Sequence, residues 1–497
     1  MITIRQYVQN HRYLFWICGI GLIVRLIMGI VLPTGFDEAY YAQYAGHPAW
    51  GYFDHPPAVA VTAGIGFWLT GIRNPLTLRL GAILLFLGSS FLLYESTRIL
   101  FNRKAAVYAL LLFHFTPYFV FGVGLFVFPD NALTFFWLLA LYSLIRLKQS
   151  DNPRWFLVWG AACGLSMLAK YHGILLFGAT GILLIFYRDW RHYLVTPYLY
   201  IGFIIAALLF MPNLVWNSRH DWITLITQFG KSTSGGINLS LTLFLQGIIV
   251  QAGYLLPWIM VILLLVSLDF IRKNTLETRW LIPFIGLPVV IFTLIGATRT
   301  ILPHWPMPGY LGAVILTGGW LLQRHQKFNS LFMWLSGFIT VLAAILFIFQ
   351  IYTGFFPLQK KNDPTLDGYG WNQVIRKLEE RQILTKPGPF ILAHKWFTGG
   401  QLAFAAGHKY PVTVFNKTAP HGFAFWGKNQ SFTGRDAIFI TSERFPDDPR
   451  QLFGNFFTSV AFIDTVQVKR CGKLAQSFLI WQCRQYNGSY QPPYGER

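Results

Sequence analysis

Three carboxylates, Asp37, Glu38 and Asp54, stand in the stretch GFDEAYYAQYAGHPAWGYFDHPP at positions 35–57, just after the first long apolar run. Acids beside lipid are costly unless they are paired or used. Paired acids at such a place can deprotonate a hydroxyl, bind a metal ion or cap a helix. Pro33 and Gly35 come first, so Asp37 or Glu38 also suits the N-cap of an interfacial helix beginning near Ala39. Asp54, ahead of His55-Pro56-Pro57, suits a turn equally well. Farther along lie Asp130 in FVFPDNAL, Lys170 and His172 in AKYHG, and Arg299, His304 and Trp305 in TRTILPHWPMP. Taken singly, Asp130 can be an N-cap and Lys170 a snorkelling side chain. Arg25 lies inside the first apolar run, where a charge needs a carboxylate or a lipid phosphate as partner. Taken together, the cations suit a phosphate, and a nearby carboxylate suits a general base acting on an attacking hydroxyl. A phosphate leaving group needs cations where its charge develops. These residue types fit the removal of a group from a lipid phosphate.

The elements that must position them are membrane spans. Of 497 residues, 54% are hydrophobic and 12% charged, and mean hydropathy is +0.45, which excludes an ordinary soluble domain. The net charge of +20 would suit nucleic acid. The Lys and Arg residues instead cluster in short loops between apolar runs, where they set orientation and meet anionic lipid, so no nucleic-acid partner is expected. Arg5, His11 and Arg12 precede a run from Tyr13 to Leu32 with no small-residue cleavage site after it, the pattern of a retained signal anchor.

Basic clusters at Arg98/Arg103/Lys104, Arg146/Lys148/Arg154, Arg188/Arg191, Arg272/Lys273/Arg279 and Arg324/Lys327 place successive loops in the cytoplasm. The spans between them are predicted at 13–32, 76–98, 105–122, 131–147, 155–170, 173–187, 195–213, 241–268, 280–297, 305–322 and 330–352. That makes a polytopic α-helical protein with about eleven transmembrane helices and its N-terminus inside. Residues 58–72 are apolar but short, which suits a re-entrant or interfacial piece of a first external loop at 33–75. Under this topology every candidate residue near a span end falls on the external face, together with Arg219, His220, Asp221 and Lys231.

After residue 352 the composition turns polar. The segment WNQVIRKLEE reads as an amphipathic helix, PFILAHKW as a strand, TGGQLAFAAG as a helix and YPVTVF as a strand. The expected layout is therefore a transmembrane catalytic domain at 1–352 and an extracytoplasmic α/β domain at 353–497. Cys471 and Cys483 lie close enough in sequence for a disulfide if that tail is outside. The four cysteines form no metal pattern, and no internal repeat is visible.

The motifs DEAYYA, YFDHPP, FPDNALTFFWLLALY, AKYHGILL and LPHWPMPGY, with DPTLDGYGW at 363–371, resemble the membrane glycosyltransferases of the protein O-mannosyltransferase and aminoarabinose transferase type. These are family 39-like enzymes of the GT-C class. The resemblance covers roughly residues 13–320. It implies a polyprenyl-phosphate-linked sugar donor, an envelope acceptor (lipid A, glycan, lipid or protein) and inversion at the anomeric carbon. It gives Asp37 the first-loop catalytic acid's place. Asp54 matches an acid in an element that reads YFEKP in the aminoarabinose transferases and YFDHP here, where His55 replaces a lysine. Asp130 and Lys170 match the second-loop acid and the lysine that helps hold the donor phosphate, and Arg299 falls where a basic residue often occurs.

The expectation is an inverting glycosyltransferase of a bacterial inner membrane, its active site facing the periplasm or exterior. Asp37 acts as general base, with Asp54 and Glu38 beside it. Lys170, Arg299, Arg25 and His172 meet the donor phosphate, and Asp130 orients Lys170. Tyr40, Tyr41, His55, His304 and Trp305 contact sugar or acceptor. No cofactor is required, although Asp37, Asp54 and Asp130 could share a divalent cation. The alternative is a flippase for a lipid-linked sugar, which would want the same cations and aromatics.

Overall fold

The structure, a computed structural model, describes residues 4–233, 239–272, 278–426 and 429–494. It forms two compact units. The first comprises residues 1–29, 55–62 and 79–341, and the second residues 30–54, 63–78 and 342–497. The dividing point near residue 341 lies inside the Gln326–Thr353 helix rather than at its end.

The first unit is helical. Among the described residues of the chain, five helices are long and apolar enough to cross a membrane, and two bent helix pairs raise this to seven. Helices also occupy the other predicted runs, and two of the breaks fall at prolines. The predicted run 105–122 ends as a regular helix at Phe115, and a π-helical stretch follows from Tyr118, directly after Pro117. The run 241–268, expected as one straight span, is two helices, Leu241–Leu255 and Pro257–Arg272, bent by 103°. Pro257 supplies no N–H to continue the ladder, and Leu256 between the helices takes a left-handed φ of 71°. Close packing depends on glycine. A Cβ on Gly160 of the Trp155–Ala169 helix would lie 2.1 Å from the carbonyl oxygen of Gly202 on the Pro197–Arg219 helix. The core between such helices is built on Trp137, Trp159, Phe113 and Leu141, all buried.

The Ala58–Thr70 helix has 13 residues, about two-thirds of the length a spanning helix needs. Its first residues belong to the first unit and the rest to the second.

The second unit joins most of the first loop to the tail. Its sheet has the order β2-β1-β3-β5-β4. Strands β1 (Phe390–Ala393), β2 (Val412–Val414) and β3 (Ala437–Ser442) run parallel, and a long hairpin of β4 (Phe457–Arg470) and β5 (Lys473–Tyr486) pairs antiparallel to β3. The Trp396–Ala406 helix is the crossover from β1 to β2, as parallel pairing requires. Its Gly400 packs against the first-loop helix Phe36–Tyr44, where a Cβ would approach the Tyr40 backbone nitrogen to 3.0 Å. The DPTLDGYGW segment is a staple of this unit. Arg444 bonds the Asp367 carboxylate at 2.8 Å and the Asp363 carbonyl at 2.9 Å, and the Trp371 indole donates to the Asp367 carbonyl.

Cys471 and Cys483 are both free. Cys471 lies in the turn joining β4 to β5, and Cys483 lies ten residues into β5, opposite Val460 and Ala437. Ten residues of strand are roughly 33 Å, far beyond the reach of a disulfide. Nearness in sequence is cancelled by extended backbone.

Candidate active site

In the first unit, Lys170 ends the Trp155–Ala169 helix and Asp130 sits in the first turn of the Pro129–Ser150 helix. The Lys170 Nζ lies 3.0 and 3.1 Å from the two oxygens of Asp130, and the Tyr118 hydroxyl donates to the same carboxylate at 3.0 Å. Both charged side chains are buried, at 7% and 4% exposure. Asp130 is not the N-cap that its place after Pro129 allowed. The N-cap is Phe128, and Asn131 closes the start of the helix by accepting the Phe128 N–H at 2.7 Å while donating to the Val123 and Phe126 carbonyls.

Beside this pair lies a cavity of about 140 Å³ lined by His55, Pro56, Lys170, Tyr171, His172, Ile174, Leu175, Gln228, Phe292 and Trp305. Its walls are aromatic and aliphatic, with a few polar atoms converging, the usual make-up of a small-molecule site. The His172 ring stacks on Phe292 at 4.5 Å and meets Trp305 edge-on at 5.7 Å. Its Nε2 is buried with no hydrogen-bond partner among the described residues, which points to a partner supplied from outside. Burial, and then the Lys170 charge, push the His304 imidazole down to about 4, so it is neutral at physiological pH.

Arg299 and Arg25 are not among the lining residues. Arg299 bonds its neighbour Thr298 at 3.3 Å. Arg25 is buried at 3% exposure, and of the two partners expected for it, a carboxylate or a lipid phosphate, no carboxylate meets it among the described residues. Its guanidinium lies 3.8 Å from the Phe86 ring centroid and donates to the Gly21 carbonyl at 3.0 Å, leaving Nε and the second terminal nitrogen without hydrogen bonds.

In the second unit, Asp37 and Glu38 occupy the first turn of the Phe36–Tyr44 helix. Asp37 is exposed. Glu38 is buried at 1%, and its carboxylate accepts the Gly35 N–H at 3.1 Å, closing the start of the helix. Asp54 is half-buried and accepts the Tyr44 hydroxyl. Tyr40 does not stand ready for a sugar. It is fully buried among Trp396, Phe423 and Trp426, and Tyr41 is 5% exposed. Among the described residues no three His, Cys, Asp or Glu side chains form a metal-binding group.

The sequence motifs thus led to Lys170, His172, His55 and Trp305 around one cavity. They missed Tyr118, Gln228 and Phe292, whose uncharged side chains gave no sign of chemistry.

Residues 54–216 match the family described as dolichyl-phosphate-mannose-protein mannosyltransferase. Over 63% of its length the chain is 24% identical to a lipid A galacturonosyltransferase of Rhizobium johnstonii, covering 66% of that protein. Over 59% it is 24% identical to the undecaprenyl phosphate-alpha-4-amino-4-deoxy-L-arabinose arabinosyl transferase of Edwardsiella ictaluri, covering 54% of it. These matches thus span just under two-thirds and about half of their relatives. Among solved structures, ArnT from Cupriavidus metallidurans bound to undecaprenyl phosphate superposes with a TM-score of 0.65 at 16% identity, covering 94% of this chain and 97% of that one. Apo ArnT gives 0.64. The chain has the ArnT-like GT-C fold, mostly helical with a C-terminal sheet domain, and its sequence resembles the polyprenyl-phosphate-dependent membrane glycosyltransferases.

Proposed function

We propose that this protein is an inverting glycosyltransferase that moves a sugar from a polyprenyl phosphate carrier to an acceptor of the bacterial envelope, working at the outer face of the inner membrane. The observation that carries the reading is the buried Lys170 ammonium at the wall of a largely apolar cavity, with the unpartnered His172 Nε2 beside it. A cation in such surroundings suits a phosphate attached to an isoprenoid, since the phosphate needs the charge and the chain needs the apolar wall. The relatives, which include a lipid A galacturonosyltransferase and an undecaprenyl-phosphate arabinosyl transferase, point the same way.

In this reading Asp37 removes the proton from the acceptor hydroxyl. The freed oxygen attacks the anomeric carbon, and the bond from that carbon to the phosphate oxygen breaks. The negative charge gained by the departing phosphate is met by Lys170 and His172. Asp130 and Tyr118 hold Lys170 in place, His55 and Trp305 line the sugar's approach, and Asp54 assists with the acceptor. Should a divalent ion take part, it would be held by one or two carboxylates and the donor phosphate.

Mass spectrometry of envelope glycolipids and glycoproteins, with and without the active protein, tests this directly. A sugar-sized mass difference should appear with the wild type and vanish with Asp37→Asn, while Asp37→Asn still binds undecaprenyl phosphate. Unchanged envelope masses, or wild-type turnover by Asp37→Asn, refutes the assignment. Transport of a lipid-linked sugar without any covalent product would establish the flippase instead.

A further inference from the structure

The first-loop helix and the sheet domain are joined by a hydrogen-bond chain whose direction can be worked out. The Tyr44 hydroxyl is in reach of both the Asp54 carboxylate and the Tyr40 hydroxyl, the latter at 3.2 Å. A tyrosine has one hydroxyl proton, and an ionised carboxylate only accepts. Tyr44 therefore donates to Asp54 and accepts from Tyr40. The Tyr40 proton is thereby used, and its oxygen accepts the backbone N–H of Gly422 at 2.8 Å. Every donor points the same way, from the peptide of Gly422 to the carboxylate of Asp54.

The surroundings fix this chain. Tyr40 and Tyr44 are both at 0% exposure. Tyr52 stacks on Tyr44 at 3.9 Å, and its hydroxyl lies 3.2 Å from the Tyr44 carbonyl. Trp396 and Trp426 close over Tyr40 at 4.8 and 5.8 Å. Burial, and then the Asp54 charge, push both hydroxyls well above the ordinary tyrosine value, so both stay protonated donors across the working pH range.

We propose that Tyr40 and Tyr44 are positioning residues, through which the C-terminal sheet domain sets the orientation of Asp54. The inference rests on the reading that Asp54 takes part in transfer. It gives the sheet domain a role in the reaction and explains why buried tyrosines occupy the acid-bearing loop. A core built only for packing would be served as well by phenylalanine, and that difference can be measured.

The test uses the full-length protein in proteoliposomes, with transfer and melting followed for Tyr44→Phe, Tyr40→Phe and Asp54→Asn. Tyr44→Phe removes a charge-assisted bond to a carboxylate, so kcat should fall about tenfold with KM for the donor lipid unchanged. Tyr40→Phe should lower kcat by less, again with KM unchanged. A kcat unmoved in both Phe variants, or lowered melting with kcat unmoved, overturns the chain while Asp54→Asn remains inactive. Full turnover by Asp54→Asn overturns the underlying reading of Asp54 instead. If Tyr44→Phe fails to fold, the split of kcat against KM in Tyr40→Phe decides.

Discussion

Removing Lys170 should cost stability as well as donor binding, and the two effects can be separated. The ammonium sits 3.0 Å from a carboxylate whose side chain is 4% exposed. At an effective dielectric constant of about 20 that pair attracts by roughly 5 kcal/mol, before the cost of burying both charges. Lys170→Ala leaves Asp130 charged, buried and bonded only to the Tyr118 hydroxyl among the contacts described above, a situation that typically costs about 3–5 kcal/mol. In a unit of this size that is about 6–10 °C of melting temperature. Asp130→Ala alone should cost a similar amount, since it strands the ammonium. The double variant Lys170→Met/Asp130→Leu buries no charge and should recover most of the loss. Thermal unfolding in detergent, followed for the wild type, both single variants and the double variant, gives the coupling as the departure from additivity. Undecaprenyl phosphate binding, measured on the same samples, should be lost wherever Lys170 is lost, including in the stable double variant. A coupling below about 1 kcal/mol would mean the pair behaves like an exposed salt bridge, and the argument from burial would fail. Full lipid binding by the double variant would remove Lys170 from the phosphate site.

His304 offers a pH test. Its value in the folded protein lies near 4, below the ordinary 6.5, so the unfolded chain binds more protons between those limits. Stability should therefore be intact above pH 6.5 and decline as pH falls toward 4, by about 3 kcal/mol in all. In His304→Gln that decline should flatten, and an identical decline in the variant would assign it elsewhere. Gly400→Val would drive a branched side chain into the Tyr40 backbone and should cost about 3 kcal/mol, visible as lower melting of the variant. Alkylation under native conditions should label Cys471, which is exposed, and spare the buried Cys483, with no disulfide-linked peptide in the digest. Recovery of that linked peptide would mean the β4–β5 register is wrong.

What the sequence made legible depended on how local its cause was. Apolar runs place helices because a stretch such as Ile282–Thr298 has nowhere else to bury itself, and WNQVIRKLEE is a helix because its apolar residues fall on one face. The break at Pro257 was equally local, yet hydropathy alone reads across it, since Leu256 and Pro257 are as apolar as their neighbours. The long hairpin β4–β5 escaped because its burial alternates irregularly around two shifts of register, near Phe462 and Val468. Among the candidate residues, Lys170 and Asp130 were legible as an isolated cation and acid at helix ends. Their pairing, anticipated in giving Asp130 the orienting role toward Lys170, is a contact across 40 positions that no spacing encodes. Arg25 shows the converse. A charge in an apolar helix calls for a carboxylate or a lipid phosphate, and among the described residues the fold gives it the face of Phe86 and a backbone carbonyl.

The carboxylates singled out by type alone are distinguished by what surrounds them. Asp130 is clamped by Lys170 and Tyr118, and a carboxylate so held is poorly placed to accept an incoming proton. Glu38 is buried and closes the start of its own helix. Asp54 receives the tyrosine chain, which fixes its orientation. Asp37 alone of the four is exposed, on a helix whose far side is packed against the Trp396–Ala406 helix of the sheet domain. A general base must meet an acceptor that arrives from solvent or from the lipid surface, while its own backbone stays rigid enough to keep the reacting atoms in line. Exposure of the carboxylate and burial of the helix that carries it meet both demands at once. Assigning Asp37 as the base therefore rests on the difference between its surroundings and those of Asp130, Glu38 and Asp54, and exchanging it for asparagine should abolish transfer without loosening the helix.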